Sequence, residues 1–244
     1  GLGDVYKRQV LGSALFFTSI KIPKSNMVYD WTFLMIISFI FYFFLKDYTI
    51  NRVEGIILFT GLILFLFLIV KIRKDDSNDD ISDEVTLSNL NILVYIIVSS
   101  FVLYVGSELF VNSSIYFAKY FGVSERVIGL TLVAIGTSLP ELVTTLVAIY
   151  KSELDISIGN IIGSNIFNIL AVIGITSIIT DLNILSDGIL EFDIYVMILF
   201  SFVLLLFYLS TKKRLLNTYH GLIYFICFIA VSYTHLTLPT SYPV

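Results

Sequence analysis

Residues 129–150 read GLTLVAIGTSLPELVTTLVAIY, and residues 155–174 read DISIGNIIGSNIFNILAVIG. Each matches the ~20 apolar residues that a bilayer core requires, yet each carries polar groups in its middle. Glu141 stands mid-span in the first. A carboxylate there costs about 2.5–3.5 kcal/mol to insert, so a partner or a function is its default meaning. Pro140 precedes it, lacks an N–H, and clashes with the carbonyl four residues back, that of Gly136. The helix is therefore predicted to break there and to free backbone carbonyls, which hydrocarbon tolerates only against protein or a hydrated cavity. Thr137, Ser138 and Glu141 are spaced so that their oxygens face one direction. In the second stretch Asn160, Ser164 and Asn168 share a face, with Asn165 beside them. Gly159 and Gly163 form a small-residue stripe that would admit a close helix. Amides bonding between helices would explain one or two asparagines, but not a buried glutamate, a proline break and several amides together.

The rest of the chain places these stretches in a membrane. Of 244 residues, 57% are apolar and only 14% charged, against roughly 25% charged in soluble domains. Too little polar sequence remains to cover a soluble fold or sustain disorder. A net charge of −4 with no basic run argues against nucleic-acid binding. The single cysteine, Cys227, excludes a disulfide framework or a thiolate zinc site. The expected class is an all-α polytopic membrane protein. Apolar runs occur at 10–20 (a stub), 31–45, 54–70, 90–118, 127–149, 156–180, 189–210 and 219–231, and length rather than periodicity defines them.

Residues 1–9 and 232–244 resemble translated adapter sequence and are expected to be non-native, which sets His235 aside. Between them, 10–70 reads as the remnant of a first membrane repeat. Residues 71–88 read as a solvated linker, and 89–231 as a second membrane repeat. Alternate loops carry unequal positive charge. Lys21, Lys24, Lys71, Arg73, Lys74, Lys151, Lys212, Lys213 and Arg214 fall on one side, and Lys46, Arg52, Lys119 and Arg126 on the other. That excess predicts a cytoplasmic 71–88 loop.

An internal repeat runs through the chain. VLGSALFFTSI (10–20) matches VIGITSIITDL (172–182), and DWTFLMIISFIFYFF (30–44) matches DIYVMILFSFVLLLFY (193–208). NRVEGIILF (51–59) matches NTYHGLIYF (217–225). The offset drifts from 162 to 166 between Gly12/Gly174 and Asn51/Asn217. No first-half partner exists for the stretch between the linker and Gly174. The expectation is a chain truncated at its N-terminus: five spans per intact half, about seven plus a stub here. An odd number of spans inverts one half against the other, a common plan of secondary transporters.

The polar cluster offers hard oxygen: a carboxylate, hydroxyls, amide carbonyls and freed backbone carbonyls. That set suits calcium or sodium. These spans hold no thiolate or imidazole, which argues against zinc or copper. One carboxylate does not neutralise a divalent ion, so a second acid is expected from the other half.

At these residues the chain resembles the cation/calcium exchanger superfamily, most closely the bacterial calcium/sodium antiporters. GVSERVIGLTLVAIGTSLPEL (122–142) and DISIGNIIGSNIFNIL (155–170) are similar to the second of that family's two signature repeats; the first is absent. The resemblance implies ten helices in two inverted halves and exchange of calcium for sodium by alternating access. It implies residence in the bacterial inner membrane, with lipid, calcium and sodium as partners and no enzymatic cofactor. Carried over, Glu141 would be the central carboxylate. Thr137, Ser138 and Ser164 would supply hydroxyls, Ala134 its carbonyl, and Asn168 the position where some members carry Asp, which bears on proton or potassium coupling. A calcium/proton or potassium-coupled antiporter is the alternative. Glu108 is a further candidate membrane acid, and Glu191 and Asp193 read as caps or vestibule groups. An intramembrane hydrolase is the remaining alternative, but His220 at a span edge is its only credible base, and no paired acids are evident.

Overall fold

Every helix here must satisfy its own backbone, because hydrocarbon offers no water. The computed structural model describes residues 15, 19–76, 88–123, 128, 136, 138–183, 189–211 and 214–237. Seven helices occupy them. Helix α1 (Asn26–Asp47) opens with a widened π turn, Asn26–Trp31, and closes with a 3₁₀ turn, Leu45–Asp47. Then follow α2 (Arg52–Asp76), α3 (Asn89–Tyr120) and α4 (Leu139–Tyr150). Helix α5 spans 154–179 and widens into a π turn at Asn168–Ile173. Helices α6 (Ile189–Ser210) and α7 (Thr218–Thr237) complete the set. Asn26–Asp47, Arg52–Ile72, Asn89–Tyr120 and Ile156–Ile179 are long and apolar enough to cross a membrane.

Two short ladders fix how these helices run. Strand β1 (Ile20–Lys21) pairs antiparallel with β4 (Leu215–Leu216), and β2 (Thr49–Ile50) with β3 (Leu182–Asn183). The starts of α1 and α7 therefore share one end of the molecule. The end of α1, the start of α2, the end of α5 and the start of α6 share the other. Consequently α1 and α6 run in opposite directions, and so do α2 and α7. The register carries the same message. Ile20 pairs with Leu216, and Leu182 with Ile50. The repeat offsets of 162 and 166 convert the first pair into the second, as an inverted relation between halves requires.

The third repeat match has a local cause. Asn51 Oδ1 accepts from the N–H groups of Val53 and Glu54, while Glu54 Oε2 accepts from the Asn51 N–H at 2.9 Å, a reciprocal capping box. At the corresponding place Asn217 Oδ1 accepts from the Tyr219 N–H, and His220 Nδ1 lies 3.1 Å from the Asn217 nitrogen. His220 is thus a capping residue, the counterpart of Glu54. The span that the sequence ends at 231 continues helically to Thr237.

Helix α5 is the centre of the bundle. Ile158, Ile162, Ile166, Ile169 and Leu170 are buried, and α5 packs on α1, α2 and α4. Indole Nε1 of Trp31 donates to the Ser201 carbonyl at 2.7 Å, tying α1 to α6. Helices α2 and α5 meet backbone to backbone. A methyl group placed on Gly55 would stand 2.9 Å from the Gly174 oxygen and 2.9 Å from the Ile178 nitrogen. Gly55→Val is therefore expected to destabilise the fold by about 1–3 kcal/mol, as overpacking does. Gly106→Ala, where nothing lies within 4 Å, leaves stability unchanged or slightly raised. Thermal unfolding in detergent measures both, and equal midpoints for the two variants would refute the close α2–α5 contact.

Candidate cation site

Helices α4 and α5 form a hairpin joined by Lys151, Ser152 and Glu153. Ser152 takes a left-handed conformation (φ 63°), and the Glu153 N–H closes the turn on the Ala148 carbonyl at 2.8 Å. The clamp of this hairpin is Asn160. Its Nδ2 group lies 3.1 Å from the Glu141 carbonyl, 2.9 Å from Thr144 Oγ1 and 3.0 Å from Thr145 Oγ1. That bonding fixes the register of α4 against α5. One turn further from the hairpin tip, Glu141 falls opposite Ser164.

The predicted break is present. Helix α4 starts at Leu139 with Pro140 in its first turn, so the missing N–H falls where no intrahelical bond is expected. The Gly136 carbonyl accepts a hydrogen bond of 2.8 Å from the Ser107 hydroxyl of α3. Ser107 carries no sequence signal of its own; only the demand of Gly136 for a donor points to it. Gly136 is packed so closely on Val111 that a Cβ would collide with the valine side chain.

Glu141 sits in the first turn of α4, where the helix dipole favours a negative charge. It lines a cleft of about 400 Å³ with Gly159, Asn160, Gly163, Ser164, Phe167 and Asn168. Glu141 and Asn168 each hold a partner. Ser138, the residue before α4, is 4% exposed and does not cap the helix, and its Oγ has no hydrogen-bond partner. A buried hydroxyl oxygen left this way, three residues before a carboxylate in sequence, is a ready cation ligand. Asn168 opens the π turn of α5, a geometry that recurs at functional sites.

Of the six residues singled out, Glu141, Ser164 and Asn168 share the cleft, and Ser138 flanks it at the start of α4. Ala134 and Thr137 lie outside the described residues. Asn160 lines the cleft and also clamps the hairpin through its Nδ2 group. Asn165 turns away and lines a separate small cavity with Trp31, Leu34 and Ser201. Gly159 and Gly163 line the cleft, and among the described residues a Cβ at Gly163 would meet nothing within 4 Å. Glu108 lines a different cavity of about 550 Å³ between α3 and the start of α4, with Tyr104, Ser107 and Pro140. It stands level with the proline break, beside the Ser107 that bonds Gly136. The side chains of Glu191 and Asp193 are outside the described set. Among the described residues no group of three or more His, Cys, Asp or Glu is placed to hold a metal.

Comparison with known proteins follows the same residues. The profile of the family "Sodium/calcium exchanger protein" matches residues 91–237. The candidate antiporter CaxA of Alkalimonas amylolytica is 35% identical over 232 residues, covering 92% of this chain and 72% of that protein. Inner membrane protein YrbG of Escherichia coli is 32% identical over 181 residues; the chain spans 55% of its length. Sodium/calcium exchanger MaX1 of Methanosarcina acetivorans is 42% identical over 112 residues, 46% of this chain and 32% of that one. Among solved structures, the sodium-calcium exchanger NCX_Mj superposes with a TM-score of 0.74 at 26% identity, covering 96% of this chain and 74% of that chain. The sodium/calcium exchanger from Methanococcus jannaschii gives 0.73 at 25% identity, covering 95% and 73%.

Asn160→Leu removes the donor that holds Glu141, Thr144 and Thr145. It is expected to cost about 1–3 kcal/mol, the penalty for buried acceptors left unpaired, and Ser107→Ala about 1 kcal/mol for the Gly136 carbonyl. Unfolding midpoints in detergent test this; an Asn160→Leu protein as stable as the wild type would remove the clamp.

Proposed function

The chain belongs to the sodium/calcium exchanger protein family, and from that premise we propose that the protein exchanges calcium for sodium by alternating access, with the α4–α5 cleft as its half of the ion pathway. The observation that carries this reading is Glu141. It is a carboxylate in the first turn of a proline-started helix inside an apolar span, opposite Ser164 and Asn168 and close in sequence to an unpaired Ser138 hydroxyl. The chemistry follows from charge and donor type. Calcium and sodium are both hard cations of similar size that accept carboxylate, hydroxyl and amide oxygen. A site with one shared carboxylate cannot neutralise both at once, so the ions bind in turn. Competition for Glu141 is what would couple their movements. In this reading Ser138, Ser164 and Asn168 contribute neutral oxygens, and Thr137 and the Ala134 carbonyl complete the set.

Orientation follows from basic residues. The β1–β4 ladder gathers Lys21, Lys24 and Arg214 at one end, while Lys46 and Arg52 stand at the other. With Lys71, Arg73, Lys74, Lys151, Lys212 and Lys213 added, the first end is the more basic. We assign it to the cytoplasm, with the protein in a bacterial plasma membrane.

In proteoliposomes of the full-length protein, an outward sodium gradient is expected to drive calcium-45 uptake. Glu141→Gln abolishes it, and Ser138→Ala and Ser164→Ala slow it several-fold. Replacing sodium by choline stops it. Uptake by Glu141→Gln at the wild-type rate would sink the site. Uptake that ignores sodium but follows a pH gradient would make the protein a calcium/proton exchanger instead.

A further inference from the structure

A second buried polar layer lies about two helical turns from Ser164, the residue opposite Glu141, at the end where α1 begins. Asn26 is 1% exposed and Asp30 is 4% exposed, both within the opening π turn of α1. Asn26 Nδ2 donates to Asp30 Oδ2 at 2.9 Å, which leaves Asn26 Oδ1 buried with no hydrogen-bond partner. Helix α5 packs on this turn. Its Ser157 is 0% exposed, and Ser157 Oγ also has no partner, not even the carbonyl one turn back that helical serines commonly use.

The two helices run parallel, and their levels can be matched. Trp31 and Leu34 line a small cavity with Ile161, Ile162 and Asn165. One turn nearer the helix starts, residues 27–30 of α1 lie level with Ser157 and Ile158 of α5. By helical spacing, a carboxylate, an amide oxygen and a hydroxyl oxygen thus fall at one level of the two packed helices, the last two buried without a donor. Asp30 makes a further contact besides Asn26, so it is the two neutral oxygens that ask for a ligand.

We propose that Asp30, Asn26 and Ser157 form a second cation site, of the sodium class, separate from the Glu141 cleft. The donors are all hard oxygen, which selects alkali or alkaline-earth ions. One carboxylate with neutral oxygens balances a single positive charge, whereas a divalent ion would keep an excess charge in an apolar surround. Ser157 and Ser164, the α5 hydroxyl opposite Glu141, are separated along the helix by roughly 10 Å at 1.5 Å per residue, too far for one ion to touch both. Occupancy here would fasten the start of α1 to α5, the helix that carries Ser164 and Asn168.

Trp31 is the chain's single tryptophan and adjoins Asp30, so its fluorescence reports on this layer. Sodium chloride is titrated into the purified full chain, with choline chloride holding ionic strength constant. A saturable change in Trp31 emission is expected in the wild type and in Glu141→Gln alike. Asp30→Asn abolishes it, and Ser157→Ala raises the half-saturating sodium concentration about tenfold, as the loss of an ion-contacting oxygen should. Circular dichroism checks that each variant is helical; if Asp30→Asn does not fold, Ser157→Ala decides. No sodium response, a response lost in Glu141→Gln, or one unchanged in Ser157→Ala would each overturn the proposal.

Discussion

A proline inside an apolar helix deprives the carbonyl four residues earlier of its N–H, and in hydrocarbon no water replaces it. At Gly136 the Ser107 hydroxyl supplies the missing donor. Much of the candidate site depends on that repair. Because Gly136 is satisfied from α3, a new helix can begin at Leu139, with its N-terminal end inside the bundle rather than at a surface. That end is partially positive, so Glu141 in the first turn gains favourable electrostatics where a carboxylate would otherwise be costly. Ser107 and Asn160 hold the two sides of the break. Ser107 secures the carbonyl before it, and Asn160 secures the carbonyl of Glu141 after it. Neither needs to touch an ion to matter for one.

The second constraint is direction. Two residue pairs, Ile20–Leu216 and Ile50–Leu182, set which helix ends share a face. A parallel arrangement of the repeated segments could not make both ladders, because each ladder joins an element of one half to an element of the other. Gly55 and Gly174 then allow α2 and α5 to meet at backbone distance, and their counterparts under the same offsets are Gly221 and Gly12. This explains why the repeat is pinned in sequence at glycines, caps and the asparagine pair, while the apolar runs match mainly in character. Lipid-facing positions require only hydrophobicity, whereas close approach and capping require particular residues.

Much of this was legible in the residues. The helix count, the break at Pro140, the facing stripes of α4 and α5 and the repeat offset follow from bilayer length, proline chemistry and helical spacing. What was not legible depended on partners distant in sequence. NMVYD at 26–30 reads as polar linker, so the sequence starts that span at 31. Asn26 and Asp30 nevertheless enter the helix because they bond each other and α5 covers them. Ser107 looks like any helical serine until Gly136 is placed against it. Gly159 and Gly163 look like a packing stripe, and only the open space beyond Gly163 marks them as cleft wall. His220 looks like an isolated imidazole, and the matching Glu54 identifies it as a cap.

Both π turns described in this bundle begin with an asparagine, Asn26 in α1 and Asn168 in α5. Widening a helix by one residue per turn breaks the regular ladder and rotates the following side chains relative to the preceding ones. In α5 the turn opens at Asn168, a cleft residue, and Ile169, Leu170 and Ala171 directly after it are buried in the bundle core. The same device at the start of α1 buries Asn26 and Asp30 yet sends Val28 and Tyr29 outward. The π turn is thus the local means by which a helix that must be apolar to cross a membrane can still present oxygen at one chosen depth.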